Sequence, residues 1–171
     1  MKKISPDILL SKSPNDTIIL GKIIAKNLKR GDLVALLGEL GAGKTCLVKG
    51  IALGLGVPED HLVVSPTFTI INEYNGKIPL FHFDLYRLDT ISDMESIGYE
   101  DYFYGDGITC IEWADRIKEV LPDKYLKIEM EWKEENERII KVSGENKYNN
   151  IANRIKEEYI KRFKKSEKEK I

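Results

Sequence analysis

The sequence is poor in cysteine and has no long apolar run. Its 171 residues contain two cysteines, Cys46 and Cys110, which lie in apolar segments and outside any CxxC pair. This spacing does not suit a disulfide framework or a zinc site, and we interpret both as small core side chains in a reducing compartment. No segment approaches the ~20 apolar residues of a membrane-spanning helix, and residues 1–6 lack the apolar stretch of a signal peptide. We therefore expect a cytoplasmic protein with no membrane contact.

A strong excess of charge of either sign is also absent. The chain has 27 Lys and Arg against 28 Asp and Glu, a formal net charge of -1, which argues against a protein that coats nucleic acid through its whole surface. Residues 147–171 differ, because they carry nine Lys and Arg and four Asp and Glu. A basic tail on an acidic body indicates a polyanionic or acidic partner, although a solvated helix end has the same composition.

Apolar periodicity predicts an alternation of helices and strands with no internal repeat. The length favours one domain, and the mixture of a strand–loop–helix unit with hairpins favours a three-layer α/β domain with a mixed sheet. The predicted elements are a helix over 16–29, a strand over 33–37, a helix marked by 47–55, strands over 67–74 and 78–85, a short helix opened by a capping box at 92–95, a strand over 108–111, a helix over 114–121, a hairpin of 126–132 with 140–142, and a helix over 148–163.

The glycine-rich segment after the first buried strand matches G-x-x-x-x-G-K-[ST] at every fixed position. Gly38, Gly41 and Gly43 leave backbone N–H groups free to surround a phosphate chain, and the next helix presents its N-terminal amides to the same anion. Lys44 is expected to reach the β- and γ-phosphates, and the Thr45 hydroxyl to ligate magnesium. The motif follows a strand and opens a helix, so we predict a site for a nucleoside triphosphate with Mg²⁺.

This motif refines the predicted organisation of the chain. Residues 1–146 are predicted to form a P-loop NTPase domain, a three-layer sandwich with a mixed, largely parallel central sheet and β-hairpins. Residues 147–171 are predicted to form a basic helical tail that packs on this domain or extends from it. If the tail serves only partners, removing everything after Gly144 is expected to spare nucleotide binding.

Two carboxylates at strand ends are candidates for the metal site. Glu112 follows the apolar run 108–111, and Asp84 ends another strand-like run. A P-loop nucleotidase needs one such carboxylate near magnesium and a group that orients or deprotonates water. The residues themselves leave open which acid does which. Thr67, in the Ser-Pro-Thr segment, is a candidate γ-phosphate sensor, and His82 suits either a catalytic or a packed role.

Several short segments follow one another along the chain in a fixed order. They are LGELGAGKT at 37–45, KGIA at 49–52, GLG at 54–56, VSPTF at 64–68, HFDLYR at 82–87 and IEW at 111–113. Together they are similar to the bacterial TsaE (YjeE) ATPases of tRNA threonylcarbamoyladenosine biosynthesis, from about Asn15 to about Val142. The P-loop alone is generic, whereas the ordered set is highly specific.

The resemblance implies a low intrinsic ATPase activity with ATP and Mg²⁺ as cofactors. It further implies work in a complex with the TsaD and TsaB proteins, which modify the adenosine beside the anticodon of ANN-reading tRNAs. Contact with tRNA is then expected only indirectly, through that complex. One departure is visible, because Cys46 stands where the family often has a second threonine.

The same resemblance implies roles for individual residues. Lys44, Asp84 and Glu112 would be catalytic, with Asp84 needed for hydrolysis. Thr45 and Glu112 would hold magnesium. The nucleotide is expected to contact a run of eight residues and two further side chains: Glu39, Leu40, Gly41, Ala42, Gly43, Lys44, Thr45, Cys46, Thr67 and Trp113.

Three other functions compete with a partner-stimulated ATPase. A small-molecule kinase commonly needs an arginine-bearing lid, but residues 88–125 contain only Arg116. A GTPase would read guanine with Asn-Lys-x-Asp, whereas residues 146–149 end in Asn149, and no Asp-x-x-Gly follows Asp84. A nucleotide-dependent assembly subunit without significant turnover remains an alternative. Partner-stimulated release of phosphate from ATP separates the ATPase from the others.

Overall fold

The apolar runs predicted as strands form one seven-stranded sheet flanked by helices. The computed structural model describes residues 8–88 and 90–168, with side chains described as far as residue 164. The elements are β1 (Ile8–Ser11), α1 (Pro14–Asn27), β2 (Leu33–Leu37), α2 (Lys44–Gly54), β3 (Ile71–Tyr74), β4 (Leu80–Asp84), α3 (Ile91–Ser96), α4 (Tyr99–Phe103), β5 (Ile108–Glu112), a 3₁₀ helix (Ala114–Ile117), β6 (Leu126–Glu134), β7 (Glu137–Gly144) and α5 (Lys147–Lys168).

The sheet has parallel strands in its centre and antiparallel strands at both edges. Its order is β1-β7-β6-β2-β5-β4-β3. The pairs β6–β2, β2–β5 and β5–β4 are parallel, while β1–β7, β7–β6 and β4–β3 are antiparallel. The predicted mixed sheet with hairpins is therefore confirmed. Because β2, β4 and β5 are parallel, their carboxyl ends meet at one edge of the sheet, where α/β proteins bind their ligands.

Alternating side chains of the buried strands divide the core between the two faces of the sheet. Val34 and Leu36 of β2 belong to the cluster under α1, α2 and α5, whereas Leu33 and Ala35 belong to the cluster under α3, α4 and the 3₁₀ helix. A strand buried on both faces is apolar throughout rather than alternating, which explains its apolar run. The two clusters establish the predicted three layers.

Some predicted boundaries were wrong. The strand predicted over 67–74 begins only at Ile71, because residues 67–69 form turns and Ile70 has a φ of +68°. The capping box of α3 uses Thr90 and Asp93 rather than residues 92–95. The helix predicted over 114–121 is the short 3₁₀ helix. In each case local spacing suited the prediction, and the tertiary path of the chain selected a different start or end.

Two short elements carried no recognisable pattern. β1 has four residues and exists through antiparallel pairing with β7, far along the chain, in the register Ile8 with Lys141 to Ser11 with Arg138. α4 has five residues and buries Phe103. Elements this short are defined by their tertiary neighbours, because isolated helices of this length are unstable in water and a strand needs a partner.

The basic tail folds onto the domain as α5. Its first part buries one side against the sheet and α1, and residues 169–171 lie outside the described residues. The Tyr148 hydroxyl donates to Asp32 Oδ1 at 2.9 Å, and Lys147 Nζ lies 2.7 Å from the same oxygen, which raises the pKa of Lys147. In the described ranges, no helix combines the length and apolar character that crossing a bilayer requires. The buried side chains of α5 are Tyr148, Ile151, Ala152, Ile155 and Tyr159.

Candidate nucleotide-binding site

The glycine loop leaves the carboxyl end of β2 and turns into α2. Gly38 has a φ of +148°, and a Cβ atom there would lie 2.4 Å from the carbonyl oxygen of Met130, so only glycine lets the loop pass this close to β6. Gly43 precedes α2 with a φ of +100° and provides no side-chain cap. The first amides of α2 are thus left to an external acceptor, which is the usual arrangement at an anion-binding helix start.

Lys44 brings its ammonium group to the mouth of this loop. The side chain is buried, and Nζ donates to the carbonyl oxygens of Gly38 at 2.5 Å and Glu39 at 2.9 Å. Nζ also lies 4.2 Å from the ring centroid of Trp113. Burial lowers the pKa of Lys44, while the nearby carboxylates Glu112 and Asp84 oppose that shift. A buried cation among acceptors suits a ligand that brings further negative charge, such as a phosphate chain.

The two candidate carboxylates lie side by side on neighbouring strands. Asp84 ends β4 and Glu112 ends β5, and the two residues are paired in the parallel register. Both are buried. Thr45 Oγ1 donates to Glu112 Oε1 at 2.8 Å. The structure therefore groups Glu112, and not Asp84, with the hydroxyl of the P-loop.

His82 is the second partner of Glu112. The imidazole is fully buried, its Nε2 lies 2.7 Å from Glu112 Oε1, and Nδ1 has no partner among the described residues. A carboxylate only accepts hydrogen bonds, so Nε2 of the imidazole is the donor in this contact. His82 thereby orients Glu112 from inside the protein. The sequence left its role undecided because the contact joins two strands 30 residues apart.

Asp84 is held by the segment that follows α2. The Ser65 hydroxyl donates to Asp84 Oδ2, and Thr67 Oγ1 lies 3.5 Å from the same oxygen. The backbone N–H of Tyr86 donates to Oδ1 at 2.9 Å. The Ser-Pro-Thr segment and Asp84 therefore form one unit opposite the pair of Thr45 and Glu112.

An aromatic wall and the P-loop enclose the cleft between these groups. Trp113 has a φ of +61°, and its ring lies 5.0 Å from that of Tyr86. Cys46, in the first turn of α2, places Sγ 3.5 Å from the Pro14 carbonyl oxygen. Burial raises the pKa of the Cys46 thiol, so it stays protonated at neutral pH. The cleft has a volume of about 350 Å³ and is lined by Leu40, Gly41, Gly43, Lys44, Thr45, Cys46, Ser65, Thr67, Asp84, Tyr86, Glu112 and Trp113.

Arg138 restrains the loop from outside and was missed in the sequence. Its Nε donates to the Ala42 carbonyl oxygen at 3.1 Å and its Nη2 to that of Gly41 at 3.3 Å. Nη1 is fixed by carbonyl oxygens of the turn between β6 and β7, at Glu134, Glu135 and Glu137. These bonds connect two loop carbonyls to the β6–β7 turn. No motif marks Arg138, because it lies 96 residues from the loop that it contacts.

Known proteins resemble this chain in sequence and in fold. A family model described as "Threonylcarbamoyl adenosine biosynthesis protein TsaE" matches residues 11–140. The chain belongs to the TsaE family. The family predicted from the ordered motifs is confirmed.

Individual members of the TsaE family cover most of the chain. The tRNA threonylcarbamoyladenosine biosynthesis protein TsaE of Bacillus subtilis is 44% identical over 129 residues, which are 75% of this chain and 79% of the relative. The protein of the same name from Treponema pallidum is 42% identical over 121 residues, 71% of this chain and 88% of the relative. The crystal structure of Bacillus subtilis YdiB superposes with a TM-score of 0.75 at 36% identity, covering 88% of this chain and 94% of that chain. The predicted P-loop fold is confirmed.

The donor set of this TsaE-family cleft fits a nucleotide that carries magnesium. Among the side chains of residues 8–88 and 90–164, no group of three or more His, Cys, Asp or Glu could hold a metal ion by itself. Mg²⁺ rarely needs such a group, because it is bound through one or two protein oxygens together with phosphate oxygens and water. Thr45 and Glu112 provide two oxygens of this kind beside the loop. The glycine cradle, Lys44 and this oxygen pair together suit a magnesium–triphosphate ligand.

Proposed function

We propose that this protein hydrolyses ATP in the cleft and thereby supports threonylcarbamoyladenosine formation in tRNA, acting with the TsaD and TsaB proteins. The contact between the Thr45 hydroxyl and the Glu112 carboxylate, at the mouth of a glycine loop, carries the proposal. It is supported by membership of the TsaE family, whose description names threonylcarbamoyl adenosine biosynthesis. The partner proteins are inferred from the family resemblance.

The loop and α2 bind and position the triphosphate. Backbone amides from Glu39 to Cys46 surround the β-phosphate, and Lys44 exchanges its two carbonyl acceptors for phosphate oxygens. Thr45 and Glu112 would hold magnesium, which would neutralise phosphate charge. Trp113 closes one side of the cleft. On the side of the Ser-Pro-Thr segment, the Thr67 hydroxyl contacts the γ-phosphate.

Asp84 orients the attacking water. Its carboxylate accepts a hydrogen bond from a water molecule in line with the terminal phosphorus, and the oxygen of that water forms the new bond as the bond to the bridging oxygen breaks. The proton of the water passes to the carboxylate or to the released phosphate. Ser65 and Thr67 contact the same carboxylate, so movement of their segment alters the position of Asp84. This links turnover to any partner that orders the segment.

Phosphate release tests the proposed activity. We expect slow release from ATP by the protein alone and a clear stimulation when TsaD, TsaB and an unmodified ANN-reading tRNA are added. Phosphate transfer to a small molecule would instead indicate a kinase, and preference for GTP would indicate a switch. Binding of ATP without turnover in the full mixture would favour an assembly subunit and overturn the proposal.

Replacing Lys44 by alanine is expected to weaken ATP binding by about tenfold to a hundredfold. Hydrogen bonds from a charged donor contribute about 1.5–3 kcal/mol, and each ~1.4 kcal/mol is a factor of ten in affinity. Isothermal titration calorimetry with Mg·ATP measures the change. Lys118→Ala, at an exposed position after the 3₁₀ helix and outside the cleft lining, is the control and should bind as the parent does. Unchanged affinity in Lys44→Ala would contradict the assigned site.

Replacing Glu112 by glutamine is expected to raise the Mg²⁺ concentration needed for half-maximal ATP binding by at least about tenfold. The amide keeps the shape but loses the negative charge that hard cations prefer. His82→Asn should raise the same midpoint by about tenfold and by no more than Glu112→Gln does, at the lower end of the roughly 10- to 100-fold loss of metal affinity that follows removal of an orienting partner. If Asp84→Asn shifted the Mg²⁺ midpoint and Glu112→Gln did not, the roles assigned to the two acids would have to be reversed.

A further inference from the structure

A wide groove runs between α1 and the second half of α5, on the helical layer above β6 and β7. Its volume is about 1020 Å³. Ile19 and Ile23 of α1 and Phe163 of α5 form a partly exposed apolar floor. The Phe163 ring lies 4.6 Å from that of Tyr159, which is buried behind it. The groove is separate from the nucleotide cleft and has no part in the proposed hydrolysis.

The rims of the groove are basic. Lys22 of α1 and Lys161 and Arg162 of α5 are exposed along it. Within the described part of the chain, none of these three cations has a carboxylate partner. They lie on two facing helices, so their charges converge on one channel rather than spreading over the surface.

The acids of the groove are already engaged. Glu158 lies 3.2 Å from Lys26 Nζ and accepts from the Asn27 side-chain amide at 3.4 Å. Asp16 accepts from the backbone N–H of Lys12 at 2.9 Å. The carboxylates therefore fix the helix ends and the α1–α5 contact but keep their charge, and the groove stays basic because four Lys and Arg side chains line it against two acids. Residues 147–171 add to this positive charge, because they carry nine Lys and Arg against four Asp and Glu.

We propose that this groove binds RNA directly. The phosphodiester backbone contacts Lys22, Lys161 and Arg162, and an unpaired base packs on the floor beside Phe163. Cations along a channel with an aromatic side chain in its floor are the combination that single-stranded RNA segments require. RNA is favoured over other polyanions because the TsaE family is named for a nucleoside modification of tRNA. This proposal differs from the sequence-based expectation of only indirect tRNA contact, which stays a prediction.

A membrane surface fits this region less well. An interfacial helix binds a bilayer through an exposed apolar face, but the apolar face of α5 is buried against the sheet at Tyr148, Ile155 and Tyr159. Among the described side chains of α5, Ile160 is the large apolar one that stays exposed, and beside it lies a concave channel with charged rims. One end of that channel, at Asn15, adjoins Pro14, whose carbonyl oxygen contacts Cys46 of the P-loop helix. RNA in the groove therefore approaches the nucleotide site from outside.

Fluorescence anisotropy of a labelled, unmodified ANN-reading tRNA tests the proposal with the full chain and no nucleotide. With about three phosphates neutralised, affinity should fall about 20- to 40-fold between about 50 and 200 mM KCl. Lys161→Glu combined with Arg162→Glu should weaken binding at least about tenfold at ~100 mM KCl. Phe163→Ala should weaken binding of a single-stranded RNA with the anticodon-loop sequence, without changing the salt dependence of that binding.

A charge-matched pair provides the control. Lys118→Glu with Lys124→Glu makes the same change in net charge at exposed positions between the 3₁₀ helix and β6, and it should alter affinity by less than about twofold. Equal losses of tRNA affinity in the two double variants would show that only net charge matters and would overturn the proposed RNA site. Absence of tRNA binding at ~50 mM KCl would also overturn the proposal. The same conclusion would follow if phosphatidylserine vesicles or polyglutamate bound with the same affinity as the tRNA. Mg·ATP binding by both pairs, measured separately, distinguishes failure of this proposal from failure of the proposed ATPase.

Discussion

Asp84→Asn will reduce ATP turnover by about 10²- to 10⁴-fold while Mg·ATP binding changes only a few-fold, because loss of a positioned general base typically has this effect on rate. Asparagine is nearly isosteric and still accepts a hydrogen bond from the Tyr86 N–H, which donates to Oδ1 at 2.9 Å. What it loses is the negative charge that orients water and accepts its proton. The effect should therefore appear in kcat rather than in the dissociation constant.

Single-turnover phosphate release and calorimetry with Mg·ATP measure the two quantities separately. The measurement uses a mixture with TsaD, TsaB and tRNA, where the proposed function leads us to expect the fastest turnover. Asp123→Asn makes the same chemical change at an exposed position and should leave both quantities unchanged. A parallel loss of binding and rate in Asp84→Asn would place Asp84 in the metal site instead and would contradict the division of roles with Glu112.

A chain that ends at Gly144 will be unfolded under conditions where the full chain is folded. Burying a large apolar side chain contributes about 1.5–3 kcal/mol, and a typical domain has a total stability of about 5–15 kcal/mol. Four large side chains of α5 would be lost from the core, namely Tyr148, Ile151, Ile155 and Tyr159. Asp32 would also lose the Tyr148 hydroxyl and Lys147. The sequence-based expectation that this cut spares nucleotide binding does not take these contacts into account.

Circular dichroism and urea unfolding test this prediction, with a chain that ends at Lys164 as the control. That shorter cut keeps the five buried side chains described for α5, so we expect its unfolding midpoint to match the full chain. A cooperative transition near the parental midpoint after the cut at Gly144 would show that α5 is dispensable for folding. The basic tail would then act only on partners.

Local sequence was sufficient to predict the functional residues that are adjacent in the chain. The run from Gly38 to Thr45 follows its strand directly, so its glycines, Lys44 and the hydroxyl could be assigned from the order of residues alone. The ordered segments that follow it indicated the family, and the family model confirmed it. Helix α5 was predicted from its period, because one face of that helix is buried along several turns.

Contacts between distant segments could not be predicted in the same way. His82 and Glu112 are 30 residues apart, and Arg138 lies 96 residues from the loop carbonyl that it binds. Short elements such as β1 depend on a partner strand far along the chain. The boundary of β3 was missed for a related reason, since the Ser-Pro-Thr segment turns toward Asp84 rather than extending into the sheet.

The sequence by itself determined the α/β alternation, the phosphate-binding loop and the two acids at strand ends, because each depends on residues adjacent in the chain or on a short period. Only the tertiary structure decided how those acids differ. Parallel pairing of β4 with β5 brings them side by side, and their separate partners, Thr45 with His82 and Ser65 with Thr67, come from different segments of the chain. The groove between α1 and α5 has the same origin, since facing helices bring together charges that lie far apart in the chain. The segments that pack against each strand end, rather than carboxylate chemistry, thus distinguish the two acids in this protein.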